Sequence, residues 1–360
     1  WCWFESQGRY VGTGYVNRHS LICGRLISCE KRFDIDVLIR ERLTQAFERR
    51  DRKELSSMRL VYSEADLLPG IIMDYYSGVG VIQSNTAGGD QMLPFLERAV
   101  PQEFERGFGR SLEGLLVKAD ASVRRLEGLP EYTKIIFGDE ALFRNGSFED
   151  QRIKYAANFI SGQKTGFFLD QRENRSFLAS FVAKKRPERV LDLFCYSGGW
   201  GISALMAGAS GIDFVDESSE ALKLVQQSAS LNDFSLERFQ IKKAEAFSFL
   251  EDDSTPYDVI VSDPPAFAKS KKDLPKALKA YEKLNRLCWR RLKPGGLLLT
   301  CSCSYHVSGP DFLHIIRGAV AKEKGLAHLV YQGRQAADHP ILLSMPETSY
   351  LKCLALIKLS

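Results

Sequence analysis

From about residue 186 onward, short apolar runs alternate with amphipathic stretches, and this alternation limits the possible folds more than any other feature. Residues 190–194, 212–215, 239–242, 257–262 and 297–300 read as buried strands. Between them, 200–206 (closed by Ala207-Gly208), 219–231 and 274–292 read as helices. The last of these carries Leu274, Leu278, Tyr281, Leu284 and Cys288 at helical spacing. A further helix over 311–321 and two closing strands, 329–332 and 350–358, complete the pattern. Strands that alternate with helices imply an α/β fold with a parallel sheet wrapped by helices.

The preceding chain is organised differently. With 360 residues there is too much for one core, and two to three domains are expected. Residues 1–36 alternate polar and apolar positions, punctuated by Gly8, Gly12, Gly14 and Gly24, and predict two or three short strands. Residues 37–56 predict a helical linker. Its basic residues Arg40, Arg42, Arg49, Arg50, Arg52 and Lys53 either line a solvated face or meet nucleic acid. Residues 57–155 predict a smaller α/β module: strands near 58–63, 71–75, 79–84, 115–118, 132–137 and 152–159, and a helix over 93–104. Residues 156–360 form the last domain. The chain begins at Trp1, as expected of numbering that starts inside a longer protein. No run approaches the roughly 18 apolar residues of a membrane span, and no secretory leader is visible. Eight irregularly spaced cysteines without a leader point to reduced thiols in the cytoplasm, with no metal site among them.

In open α/β sheets, ligands sit beyond the carboxyl ends of the strands. The first such end reads Asp192-Leu193-Phe194-Cys195-Tyr196-Ser197-Gly198-Gly199, and no GxGxxG is present. Asp216 ends the second strand, 24 residues after Asp192, where a ribose-gripping carboxylate is expected. Glu245 follows the third. Each acid could instead cap a helix. A cofactor with adenosine but no pyrophosphate needs such acids without a phosphate loop, and S-adenosylmethionine fits.

The fourth strand ends in Asp263-Pro264-Pro265-Ala266-Phe267, a rigid turn suited to walling a flat base. Residues 269–293 then hold ten basic and two acidic side chains, a density that points to phosphate contact. The fifth strand ends Thr300-Cys301-Ser302-Cys303-Ser304. A strand-end cysteine is ordinarily a small buried hydrophobe, and regular strand geometry would turn both thiols the same way.

These motifs, with Val123-Arg124-Arg125-Leu126-Glu127-Gly128, the run from Gly162 through Lys164 and Thr165 to Arg172, and Arg334-Gln335-Ala336-Ala337-Asp338-His339-Pro340, resemble one family. It is the RlmI-type class I methyltransferases that make 5-methylcytosine in large-subunit ribosomal RNA. The resemblance spans nearly the whole chain. It implies a partial PUA-like β-unit, a central α/β domain and a Rossmann-like methyltransferase domain, with the amino-terminal unit shorter than a full PUA domain. It also implies S-adenosylmethionine as cofactor, held by Phe168, Asp170, Arg172, Asp192, Phe194, Tyr196, Ser197, Gly198, Asp216, Glu245, Asp263 and Pro264. Pro265, Phe267, Lys269, Lys271 and Lys272 would face the RNA, and a homodimer is allowed.

The resemblance selects Cys303, seventh after the double glycine, as nucleophile and leaves Cys301 to packing. Carbon-5 of cytosine is too weak a nucleophile unaided. Thiolate addition to carbon-6 makes it enamine-like, and Asp263 could protonate nitrogen-3. Many RNA 5-methylcytosine enzymes carry a second cysteine after the fourth-strand proline; here Pro265 and Ala266 occupy that region, which implies a single-cysteine mechanism. The competing readings are a guanine or base-amino methyltransferase without a covalent step, and an RNA-binding protein that has lost activity.

Overall fold

The computed structural model describes residues 1–31, 33–50, 56–252, 254–268 and 270–360. The chain divides into two compact units. The first comprises Trp1–Gln151, Ala157–Leu169 and Ala337–Thr348, and the second Arg152–Ala156, Asp170–Ala336 and Ser349–Ser360.

The first unit opens with an antiparallel three-stranded sheet, β1 (Cys2–Ser6), β2 (Arg9–Val16) and β3 (Gly24–Ser28). Helix α1 (Ile35–Glu48) follows, capped by Asp34, whose carboxylate accepts from the Asp36 and Val37 amides. A five-stranded sheet then runs β4 (Ser57–Tyr62), β5 (Ile71–Tyr76), β6 (Val79–Ser84), β7 (Gly114–Ala119) and β8 (Tyr132–Phe137), in that spatial order. Helix α2 (Ala87–Phe108) connects the parallel pair β6 and β7. It extends well beyond the predicted 93–104: Thr86 caps it, its Oγ1 accepting from the Gly89 amide at 3.0 Å, and Gly88, Gly89 and Met92 continue the buried face towards the amino end. Ile39, Leu43 and Phe47 of α1 and Leu96, Val100 and Phe104 of α2 form its core with the sheet.

Several charged motifs in this unit are structural. Arg50 is buried against both oxygens of Asp66 at 3.0 and 2.5 Å, Arg49 reaches Asp66 at 3.2 Å, and Arg40 pairs with Asp36 and Glu103. The nucleic-acid reading is therefore corrected for Arg40, Arg49 and Arg50, whose charges meet carboxylates of the same unit. Arg52 and Lys53 lie outside the described residues. Arg124 is fully buried and donates to both oxygens of Asp90 at 2.8 Å and to the Ser84 and Pro130 carbonyls. Glu127 accepts from Asn17 at 2.7 Å and pairs with Arg25 at 3.2 Å, fastening the amino-terminal strands to the larger sheet. Thr165 and Asp338, far along the chain, join the same unit. Asp74 holds Arg59 in a two-point pair and accepts from Thr165, while Asp338 accepts from the Arg59 amide at 2.9 Å.

After the short helix α3 (Glu140–Arg144) and strands β9 (Gly146–Asp150) and β10 (Ile153–Ala157), helix α4 (Arg172–Lys185) leads into the sheet of the second unit. Its strands are β11 (Arg189–Leu193), β12 (Gly211–Asp216), β13 (Phe239–Lys243), β14 (Tyr257–Ser262), β15 (Leu292–Ser302), β16 (Ala327–Gly333) and β17 (Lys352–Lys358). Their order is β13-β12-β11-β14-β15-β17-β16, parallel from β13 to β15, with β17 antiparallel between β15 and β16. Helices α5 (Gly199–Met206), α6 (Ser219–Leu231), α7 (Ala246–Asp252), α8 (Leu274–Arg291) and α9 (Gly309–Lys322) complete it. The chain reverses its direction of travel between β11 and β14, so their carboxyl ends flank the switch point where this architecture binds ligands. No described helix is long and apolar enough to cross a membrane.

Arg124→Met should strand Asp90 without its bidentate partner. A cost of about 3–5 kcal/mol is expected for breaking a buried pair, read as a lower urea midpoint for the first unit.

Candidate active site

Three acids lie at neighbouring strand ends. Asp192, near the end of β11, is fully buried; its Oδ2 accepts from the Gly201 amide at 2.8 Å, while Oδ1 has no partner. Burial, reinforced by the charges of Asp263 and Asp216, pushes this carboxyl up to about 8. Asp216, ending β12, accepts from the Tyr196 amide and the Ser218 amide, each at 2.9 Å. It thus ties the glycine-containing loop to the start of α6. Glu245 caps α7, its Oε2 accepting from the Ser248 amide at 2.8 Å. Burial pushes the Glu245 carboxyl up, but the Ser248 and Phe247 amides outweigh this and leave it below the usual carboxylate range.

The loop between β11 and α5 is folded tightly. Phe194, Tyr196 and Gly198 all take left-handed conformations, with φ of 57°, 48° and 80°. At the two non-glycine positions this costs about 1–2 kcal/mol each. Ser197, between them, is buried with its hydroxyl unpartnered. Helix α5 lies close against the sheet at Gly201, where a Cβ would lie 2.2 Å from the Phe214 ring, and at Gly198, where it would lie 3.2 Å from the same ring.

A ligand with an ammonium group and ribose hydroxyls suits this surface. Asp192 offers an unpaired acceptor oxygen in a buried position, Ser197 a free hydroxyl, and Asp216 keeps lone pairs beyond its two amide bonds. These residues would hold S-adenosylmethionine, which supplies an electrophilic methyl group. Asp170 is buried and accepts from the Tyr350 hydroxyl at 2.5 Å, while its carbonyl accepts from the Ala336 amide at 2.9 Å. It pins the Arg334–Pro340 motif. Arg172 opens α4. Phe168 belongs to the first unit, with the Lys164 ammonium 4.3 Å from its ring centroid.

Asp263 and Cys303 stand past the ends of β14 and β15. Asp263 Oδ2 accepts from Gln171 Nε2 and from Trp200 Nε1, both at 3.0 Å. The two donors fix the carboxylate plane, and neither was singled out from the sequence. Gln171 sat inside a quoted motif, whereas Trp200 looked like an ordinary apolar helix residue. Pro264 is buried and its carbonyl lies 4.0 Å from Cys303 Sγ.

β15 ends at Ser302, so the two thiols part company. Cys301 is fully buried and touches Cys353 and Gln171 side chains, and burial pushes its thiol well above the ordinary range. Cys303 is half-exposed. The serines on either side of it both bond to the Tyr281 hydroxyl at 3.0 Å, and Ser304 Oγ also accepts from the Ala268 amide. Tyr281 thereby clamps the turn that carries the thiol. Its helical spacing had marked it only as core.

Pro265 is exposed. Phe267 packs instead against Tyr281 and Phe247, with ring centroids at 4.7 and 6.2 Å. Lys271 and Lys272 are exposed on a short turn, and Lys269 lies outside the described residues. Four of the ten basic residues in the run are ion-paired within the chain. Lys283 pairs with Glu251, Arg286 and Arg290 with Glu323, and Lys293 with Asp258, while Arg291 donates to the Leu250 carbonyl. The phosphate reading therefore narrows to Lys271, Lys272, Lys276 and Lys279.

Known proteins agree with this picture. Residues 139–351 match a family model described as S-adenosylmethionine-dependent methyltransferase, and residues 3–29 match a PUA-like domain. The ribosomal RNA large subunit methyltransferase I of Tolumonas auensis is 36% identical, over 97% of this chain and 87% of its own length. A solved structure described as a methyltransferase complexed with SAH is 22% identical and gives a TM-score of 0.81, covering 97% of this chain and 88% of that one. A structure described as a SAM-dependent methyltransferase from Streptococcus mutans gives the same figures. The sheet order and the strand-end loops define a class I S-adenosylmethionine-dependent methyltransferase. Within that class, the chain belongs to the RlmI-type family.

Because the folded state holds the Asp192 proton up to about 8 and an unfolded aspartate releases it near 4, the ligand-free fold loses stability as pH rises across that window. Asp192→Asn should remove the loss and raise the thermal midpoint more at pH 8 than at pH 5. It should also weaken S-adenosylmethionine binding about tenfold or more, equivalent to about 1.4 kcal/mol, measurable by calorimetry.

Proposed function

We propose that this methyltransferase modifies carbon-5 of cytosine in large-subunit ribosomal RNA, with Cys303 as the transient nucleophile. The observation that carries the reading is the placing of a half-exposed thiol, Cys303, and the Asp263 carboxyl group just beyond the ends of two adjacent strands, with the thiol 4.0 Å from the Pro264 carbonyl. The name of the Tolumonas auensis relative supports the choice of RNA. Cys303 adds to carbon-6, and Asp263, entering the step as the acid with its Oδ2 held by Gln171 and Trp200, gives its proton to nitrogen-3 of the adduct and becomes the carboxylate. After methylation a water molecule takes the carbon-5 proton, nitrogen-3 returns its proton to Asp263, and expulsion of the thiolate restores the ring. The target base leaves any stack to reach the site. Pro265 lies on the exposed side of the turn, where it would meet the base. Phe267 would support the turn from behind through its contact with Tyr281. Lys271 and Lys272 supply charge for nearby phosphates.

RNA containing 5-fluorocytosine, incubated with enzyme and S-adenosylmethionine, should give an adduct stable to denaturant. Cys303→Ala should abolish the adduct and reduce methylation by ~10³-fold or more, as loss of a nucleophile does. Methylation of ordinary RNA without an adduct would favour a guanine or base-amino reaction; neither product would leave only RNA binding. Replacing Lys271 and Lys272 by Glu should weaken RNA binding and lower the slope of log affinity against log salt by about two, as titrations at several salt concentrations would show.

A further inference from the structure

The thiol of Cys303 must ionise beside a carboxylate, which opposes it. Among the described residues, the ionisable groups around the site include Asp263 beyond β14, Tyr281 on α8, the thiols of Cys301 and Cys353 on β15 and β17, and Lys352 at the start of β17. Of these Lys352 is the cation.

Its placement is set by the sheet. Lys352 lies directly across from Ser302 in the antiparallel pair of β15 and β17, one residue from the thiol. Its Nζ donates to the Ser304 carbonyl at 2.7 Å and to the Tyr350 carbonyl at 2.8 Å. The ammonium head is therefore drawn onto the turn that carries Cys303, and it interacts electrostatically with that thiol. A neutral amine has two N–H bonds, and two carbonyls take both. The lone pair remains, and it is the position a third proton would fill. Burial brings the Lys352 ammonium down to about 8, against the pull of Cys303, so the amine can exchange that proton near neutral pH.

We propose that Lys352 is the positioning residue that holds Cys303 as a thiolate. The S–H bond breaks, its proton becomes the third N–H of Lys352, and the electron pair stays on sulfur beside the new ammonium. The two tautomers carry the same total charge, so the exchange needs no proton from solvent. This role rests on the covalent reading above and names the group that prepares its nucleophile.

The test is the pH profile of Cys303 alkylation by iodoacetamide, read by mass spectrometry of the peptide that carries it. Cys2, Cys23 and Cys29, the other thiols that are not buried, are changed to Ser. Lys352→Gln should move the profile up by about one pH unit or more, slowing alkylation at pH 7 about tenfold. Lys352→Arg, which keeps the positive charge, should restore most of the rate. A Lys352→Gln profile that coincides with that of the parent overturns the proposal. If Lys352→Gln does not fold, the unmodified chain decides: a Cys303 midpoint below that of exposed Cys23 supports the pairing, and a midpoint at or above it overturns it. The fluorocytosine adduct keeps the two readings apart. An adduct with an unshifted Lys352→Gln profile sinks the lysine's role alone. A shifted profile with no adduct supports the lysine–thiol pair and sinks the cytosine chemistry.

Discussion

Carboxylates at the ends of neighbouring buried strands repel one another in a medium that screens poorly, and the site is built around managing that repulsion. Asp216 is stabilised by two backbone amides, and Asp263 by an indole and an amide side chain. Asp192 receives one amide for two oxygens and sits deepest. It answers by holding its proton until about pH 8. A cationic ligand removes the need for that proton, which is why a pocket with a surplus acid is suited to a cofactor that carries an ammonium group. The same balance explains why Asp192, with one oxygen on the Gly201 amide and the other unpartnered, differs from Glu245, which is committed to α7.

On the other side of the switch point the difficulty is positional. Two cysteines separated by one residue would point alike along a regular strand. β15 stops between them, and the stop is enforced by Tyr281, whose single hydroxyl takes Ser302 and Ser304 together. Cys301 stays in the sheet against Cys353. Cys303 is turned out beside the Pro264 carbonyl. The serines flanking the thiol are thus the means by which a helix core residue controls the thiol's position.

What could be read from the linear chain follows from the range of the interactions. Strands and helices of the second unit show through local periodicity, and Ser219–Leu231 and Tyr257–Ser262 match their predicted limits. The motif acids were visible because strand ends are visible, whereas the choice of Cys303 over Cys301 came from the family resemblance. Gln171, Trp200, Tyr281 and Lys352 were not, since each acts on a residue far away in sequence and carries no local mark of it. Charge density misled for a related reason. A run of lysines and arginines looks the same whether its partners are phosphates or glutamates supplied by other helices, and Glu323 alone takes two of them. The two-unit division was hidden as well, because residues 157–169 and 337–348 return to the first unit through side chains such as Thr165 and Asp338.

The strained loop after β11 shows what the arrangement gains. Left-handed Phe194 and Tyr196 cost a few kcal/mol together. A flexible loop would avoid that cost when empty and meet a larger one on binding, when every torsion must be fixed. Here Asp216 grips the Tyr196 amide, the Gly198 amide donates to the Cys195 carbonyl at 2.8 Å, and Gly201 lets α5 press against Phe214. The loop is therefore rigid before any ligand arrives, with the Ser197 hydroxyl and one Asp192 oxygen already desolvated. A ligand seated there would have little left to order.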